Sequence, residues 1–164
     1  MTILKKNIKF LITLFVLVGL SLYSNFAFSA GGFGGQDEVS LYKSGKKLVL
    51  RAKKLEEKDK VEKAKKLYLK AYDKFEKAYN KDKKNADILN YLGYTLRKTG
   101  NLEQAETYYL KGLELDSKHL GINAYLGELY VQTNRIELAK KRLEVLSGCN
   151  CEEYEELKEL IEKK

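Results

Sequence analysis

The sequence predicts an all-α fold of antiparallel helix-turn-helix repeats, an α-solenoid closed by a C-terminal capping helix. Three observations predict it. Leu92-Gly93, Gly100 and Ala105 recur 34 residues later as Leu126-Gly127, Asn134 and Ala139. Proline is absent from the 164 residues, while Leu, Lys, Glu, Ala and Tyr dominate. Small and apolar side chains return every seven residues, as at Ala64, Ala71 and Ala78, so each set shares one helical face. A fixed period of this length means units that bury their apolar faces only against neighbours.

Residues 1–29 read as a secretory signal peptide rather than as part of the fold. Lys5, Lys6 and Lys9 precede an apolar run from Phe10 to Leu20, continued by Leu22, and small residues cluster at Ala27, Ser29 and Ala30. Cleavage after Ser29 places Ala27 at the preceding small-residue position, whereas cleavage after Ala30 would place Phe28 there. The expected location is therefore outside the cytoplasm, in the periplasm. The alternative is a protein anchored in the membrane by an uncleaved segment, although the run is short for a span of about 20 residues. No cysteine lies near the cut, which excludes a lipoprotein anchor.

The formal charge of +8 is unevenly spread. Residues 43–85 carry seventeen Lys and Arg against seven acids, and residues 86–164 carry eleven against fourteen. A basic N-terminal half thus joins a mildly acidic C-terminal half, and export argues against a nucleic-acid partner.

Residues 30–37, with Gly31, Gly32, Gly34 and Gly35, read as a flexible tether because ordering glycine is entropically expensive. The folded domain is expected over 38–164. A first helix from about Glu38 to Glu57 has its stripe at Leu41, Leu48 and Leu55, with Ala52 beside them. A second, from about Val61 to Lys81, repeats Ala64, Ala71, Ala78 and Tyr68, Phe75 at seven. Two repeat registers fit that helix equally well, so 38–85 is read as one degenerate repeat whose second helix is two turns longer. Residues 86–119 form the best-preserved unit, with Leu89, Leu92, Gly93 and Leu96 in its first helix and Ala105, Tyr109 and Gly112 in its second. Gly100 suits a left-handed helix end, and Asn101 with Gln104 suggests a capping box. Residues 120–151 repeat the pattern with Leu126, Gly127, Tyr130, Ala139, Leu143 and Leu146. In 152–164, Tyr154, Leu157, Leu160 and Ile161 continue the register, but the chain stops before a second helix, so this segment is a cap, apolar inward and acidic outward.

Over roughly Gly45 to Lys164 these residues resemble the tetratricopeptide repeat family. The chain keeps the packing residues Leu92, Gly93, Ala105, Tyr109, Leu126, Gly127, Tyr130 and Ala139. It departs at the tryptophan slot, held by Leu89 and Asn123, and at the proline slot, held by Ser117 and Cys151. The resemblance implies a groove lined by first helices that receives a segment of a partner protein. By position that groove would show Asp87, Asn90, Tyr94, Arg97 and Lys98, then Gly121, Ala124, Glu128, Val131 and Gln132. Tyr94 and Tyr125 stand where the family's carboxylate-clamp members need asparagine, which argues against binding of chaperone tails in that manner. The end of the chain, with Cys149-Asn150-Cys151 ahead of the cap, is similar to small exported bacterial repeat proteins.

Two further features carry alternatives. Lys43, Lys47, Arg51 and Lys54 form one stripe, which is either a solvated face or a contact for an anionic surface. Cys149 and Cys151, in an oxidising compartment, read as a local disulfide, an intermolecular link, or a thiol redox or metal-handling pair. Catalysis has no foothold: one histidine, no phosphate-cradling loop and dispersed acids assemble neither a nucleophile with its base nor a metal cluster. The expectation is a non-enzyme without cofactor or metal, acting as a protein-interaction module or scaffold of the bacterial envelope.

Overall fold

A computed structural model of the protein describes residues 33–164, and the expected signal peptide lies outside them. Seven helices follow in order among the described residues: α1 Phe33–Glu56, α2 Val61–Lys81, α3 Ala86–Thr99, α4 Leu102–Leu115, α5 Leu120–Gln132, α6 Ile136–Leu146 and α7 Glu152–Glu162. Consecutive helices pair as hairpins. Each hairpin then packs on the next, α2 on α3 and α4 on α5, while α7 lies against both α5 and α6. None of these helices is long and apolar enough to cross a membrane.

The start of α1 differs from expectation. The helix begins at Phe33 rather than Glu38, so Gly34 and Gly35 belong to its first turn instead of a tether. At a helix start the first backbone N–H groups have no intrahelical partner in any case, and a well-packed remainder can carry two glycines at about 1 kcal/mol each. Asp37 also meets Lys81 of α2 at 3.5 Å.

Burial follows the periodicity. On α2 the buried set is Ala64, Tyr68, Ala71, Phe75 and Ala78, facing Val49 and Ala52 of α1 and Ile88 and Leu92 of α3. A second cluster joins Ala105 and Tyr109 of α4, Ile122, Leu126 and Leu129 of α5, Ala139 and Leu146 of α6, and Leu157 of the cap. The helix α2 runs 21 residues against 14 for α4, two turns more.

Glycine sets the closest helix approaches. A Cβ on Gly93 would lie 2.5 Å from the Tyr109 ring, and one on Gly127 would lie 2.4 Å from Leu157 Cδ2. Gly127 therefore faces the cap, not the residue of α6 equivalent to Tyr109, which is the half-buried Leu143. The cap thereby fills the space that a bulky residue of α6 would have taken.

Turns and caps divide between the expected and the unforeseen. Gly100 at φ 95° and Asn134 at φ 59° take left-handed conformations, and so does Asp59 at φ 54° in the α1–α2 turn. The capping box at Asn101 is absent: its side chain makes no cap hydrogen bond, and its carbonyl accepts from Ala105 N instead. The side chains that do cap are Asn85, which accepts from Ile88 N at 3.2 Å, and His119, whose Nδ1 accepts from Ile122 N at 3.2 Å. Asn123, in the tryptophan slot, is fully buried and satisfied. Its Nδ2 donates to the Ser117 and His119 carbonyls, and its Oδ1 accepts from Arg142. This tie holds the α4–α5 turn where a large ring would have wedged it.

Candidate functional site

The first helices of the hairpins, α1, α3 and α5, and the cap α7 form one continuous side of the stack. Tyrosines make its floor. Tyr42 of α1 meets Tyr91 of α3 edge-on at 5.6 Å, and Phe75 of α2 stacks under Tyr91 at 4.9 Å. One turn further, Tyr94 of α3 contacts Tyr68 of α2 at 5.8 Å and Tyr125 of α5 at 4.8 Å. Such rings are placed by helical spacing: Tyr91 and Tyr94 sit on adjacent edges of the α3 face whose centre, Leu92 and Leu96, enters the core.

Cations stand over these rings. Lys46 Nζ is 5.4 Å from the Tyr42 centroid and 5.8 Å from that of Tyr91, and Lys53 lies 5.5 Å from Tyr94. Arg97 covers both Tyr94 and Tyr125. Attraction to the ring quadrupole holds such groups at about 0.5–1 kcal/mol each where exposed. Lys98 pairs with Glu56 at 2.8 Å, and the same Glu56 carboxylate accepts from the Tyr68 hydroxyl, also at 2.8 Å.

The opposite end of the face is acidic. Glu128, Glu156, Glu159, Leu160 and Lys163 line an open depression of about 330 Å³ between α5 and α7. Partial desolvation, reinforced by Glu128 and Glu152, holds the exposed Glu156 carboxyl above its ordinary value, with Lys53 opposing the shift. Burial likewise pushes the Tyr94 phenol up to about 12, while its hydrogen bond with Tyr68 and the Arg97 charge pull the other way. All of these tyrosines are neutral at physiological pH and act as apolar floor with a polar rim.

The residues expected to line the groove divide by depth. Asp87 and Gln132 are exposed, and Lys98 is partly so, though held by Glu56. Arg97 and Glu128 are joined at 2.7 Å, with side chains only 11% and 19% exposed, so neither is a free charge. Burial is the largest single influence on Arg97 and weakens its hold on its proton, but Glu128 and the Tyr109 and Tyr94 phenols together outweigh it. Tyr94, Ala124 and Val131 are buried among neighbouring helices, and they support the surface from beneath rather than form it. Their slots specify a face of the helix, but all three are drawn into the core clusters formed with neighbouring helices. Asn90 is 5% exposed and packs against Gly121, where a Cβ would come within 2.8 Å of its Nδ2. Its side-chain oxygen has no hydrogen-bond partner. Sequence reasoning missed Tyr42, Lys46, Lys53 and Tyr91 on this face; the spacing of Tyr42 and Lys46 by one helical turn was the available signal.

The packing residues Leu92, Ala105, Tyr109, Leu126 and Ala139 are fully buried, and Tyr130 nearly so. Cys149 and Cys151 are joined by a disulfide just ahead of α7. Among the described residues no group of three or more His, Cys, Asp and Glu side chains is placed to hold a metal ion. The lone His119 caps α5 by accepting from Ile122 N, and its Nε2 lies 3.4 Å from Asp87.

Residues 48–118 match a sequence model described as tetratricopeptide repeat. No curated protein matches the chain in sequence. Among solved structures, the CopN–Scc3 complex is similar at 24% identity and TM-score 0.56, covering 85% of this chain and 78% of that one. The second such repeat domain of the human RPAP3 protein, in complex with an HSP70 peptide, is similar at 20% identity and TM-score 0.51, covering 77% and 99%. The type III secretion translocator chaperone SycD of Yersinia enterocolitica is similar at 18% identity and TM-score 0.51, covering 74% and 90%.

Proposed function

We propose that this chain, which carries tetratricopeptide repeats over residues 48–118 and keeps their fold to its C-terminus, is a non-catalytic protein-binding module that receives a partner segment along the face of its first helices. The observation that carries this reading is the tyrosine floor of that face with its cations: Lys46 stands over both Tyr42 and Tyr91, and Lys53 over Tyr94. The half-buried Tyr42 and Tyr91 rings offer apolar contact and Lys46 and Lys53 supply positive charge, while the acids lie toward α7. A bound segment with an acidic end over α1 and a basic end over the cap has the complementary polarity.

Peptide complexes of structurally similar repeat domains support the binding mode. The leader-like residues 1–29 support a place in the bacterial cell envelope, with a scaffold or assembly role. Affinity capture of the full-length protein from the envelope fraction of its native cells, compared with Y42A and K46Q/K53Q variants, tests the reading. Recovery of the partner is expected to fall by about tenfold in each variant, a loss typical of one central contact. Identical recoveries, with the helical circular dichroism unchanged, would contradict it.

A further inference from the structure

We propose that the open end of the first repeat docks on an anionic phospholipid bilayer through two rows of lysines, one on each helix of the hairpin. On α1, Gly45, Val49 and Ala52 are buried and Tyr42 turns toward Tyr91, which leaves Lys43, Lys47, Arg51 and Lys54 on the far side, all exposed. On α2 the buried face and the contact of Tyr79 with Tyr108 of α4 at 6.2 Å fix which flank meets the next repeat. Lys63, Lys66, Lys70, Lys74 and Lys77 follow the opposite flank at spacings of three and four residues, and only Lys74 is partly covered. Because α1 and α2 are the antiparallel arms of one hairpin, the two rows lie side by side. They form the end of the stack on which no described helix packs.

These nine cations are set apart by their density on two adjacent flanks, where none is offset by a carboxylate: no residue of the two rows takes part in any ion pair among the described residues, whereas Lys98, Arg97, Arg135, Lys140 and Lys163 each hold a carboxylate within 3.0 Å. Charge left unpaired in such density repels itself and is stabilised by an extended polyanion more than by single ions. Leu50 is 59% exposed and Val39 44% exposed on the same helix, as apolar points for the boundary between headgroups and acyl chains.

The chain's own leading segment is not the complement of this face, since residues 1–32 contain lysines and no acid. A bilayer is. Each lysine at an anionic surface strengthens partitioning by about fivefold, and the attraction decays within a Debye length. This proposal is independent of the partner face, which lies on another side of α1.

The test reads lysine acetylation rates, residue by residue, on full-length protein mixed with vesicles of phosphatidylcholine alone or of equal parts phosphatidylcholine and phosphatidylglycerol. The lysines of both rows are expected to react about fivefold more slowly on the anionic vesicles and to recover at high salt, while Lys111, Lys118 and Lys140 react equally on both. In a K47Q/R51Q/K66Q/K70Q variant, whose exposed substitutions leave the core untouched, the protection of Lys43 and Lys63 is expected to disappear. Equal rates on the two vesicles would overturn the proposal, as would protection that survives in the variant. Protection without lipid that grows with protein concentration would also overturn it, by assigning the face to a second copy of the chain.

Discussion

Arg97 of α3 and Glu128 of α5 meet at 2.7 Å between adjacent repeats, with the Arg97 guanidinium laid over Tyr94 and Tyr125. The pair locks two first helices together on the face where a partner segment is proposed to lie. Because both side chains are largely desolvated, losing one strands the other.

Replacing Arg97 with Met, or Glu128 with Gln, is therefore expected to destabilise the fold by about 1–3 kcal/mol in urea titrations followed by circular dichroism. The double variant should cost less than the sum of the two, with a coupling above about 0.5 kcal/mol. Strict additivity would show that the two groups act separately.

Gly93 and Gly100 separate two reasons for glycine. At Gly93 an added methyl meets the Tyr109 ring, so G93A should overpack the α3–α4 interface by about 1–3 kcal/mol. At Gly100 nothing lies within 4 Å, and G100A should cost only the left-handed backbone penalty of about 1 kcal/mol. Equal losses in thermal unfolding would mean that close approach is not what Gly93 provides.

The raised Glu156 carboxyl gives a signed pH dependence. Its charged form is disfavoured in the folded chain, so it lowers stability at neutral pH, and that loss is relieved as pH falls toward the folded value. E156Q is expected to be more stable by about 0.3 kcal/mol at neutral pH, since the group is exposed and solvent-screened. The gain should vanish in acid, below the ordinary glutamate range, where the carboxyl is protonated in both folded and unfolded chains. A gain that persists in acid would assign the effect to helix propensity instead.

The Cys149–Cys151 disulfide closes a ring too small to restrain much of the unfolded chain. A double Cys→Ser variant is expected to lose about 1–2 kcal/mol of stability and to keep partner capture intact. Lost capture with an unchanged melting curve would favour a thiol-based function.

The repeat architecture was legible in the chain because its causes are periodic. The spacing of Ala64, Ala71 and Ala78, and of Gly93 and Gly127, records which faces approach closely, and the buried set follows it. Depth was not legible. Tyr94, Ala124 and Val131 occupy groove slots on their helices, yet neighbouring side chains cover them, and helical spacing alone carries no information about those neighbours. Pairings across repeats, such as Arg97 with Glu128 or the bidentate contact of Arg135 with Glu106, are likewise set by how hairpins stack. Asn123 departs from the family pattern, and only its three hydrogen-bond partners show why a buried amide is tolerated there. At the start of α1, glycine content pointed to a tether, but the packed turns that follow extend the helix through it.

The central claim is that a partner segment lies along the first helices, and site-specific photocrosslinking in native cells tests it most directly. Benzoylphenylalanine placed at Lys53, on the tyrosine-floored face, is predicted to give an adduct with an envelope protein, while the same group at Leu110, exposed on α4, gives none. Adducts from Leu110 and none from Lys53 would contradict it.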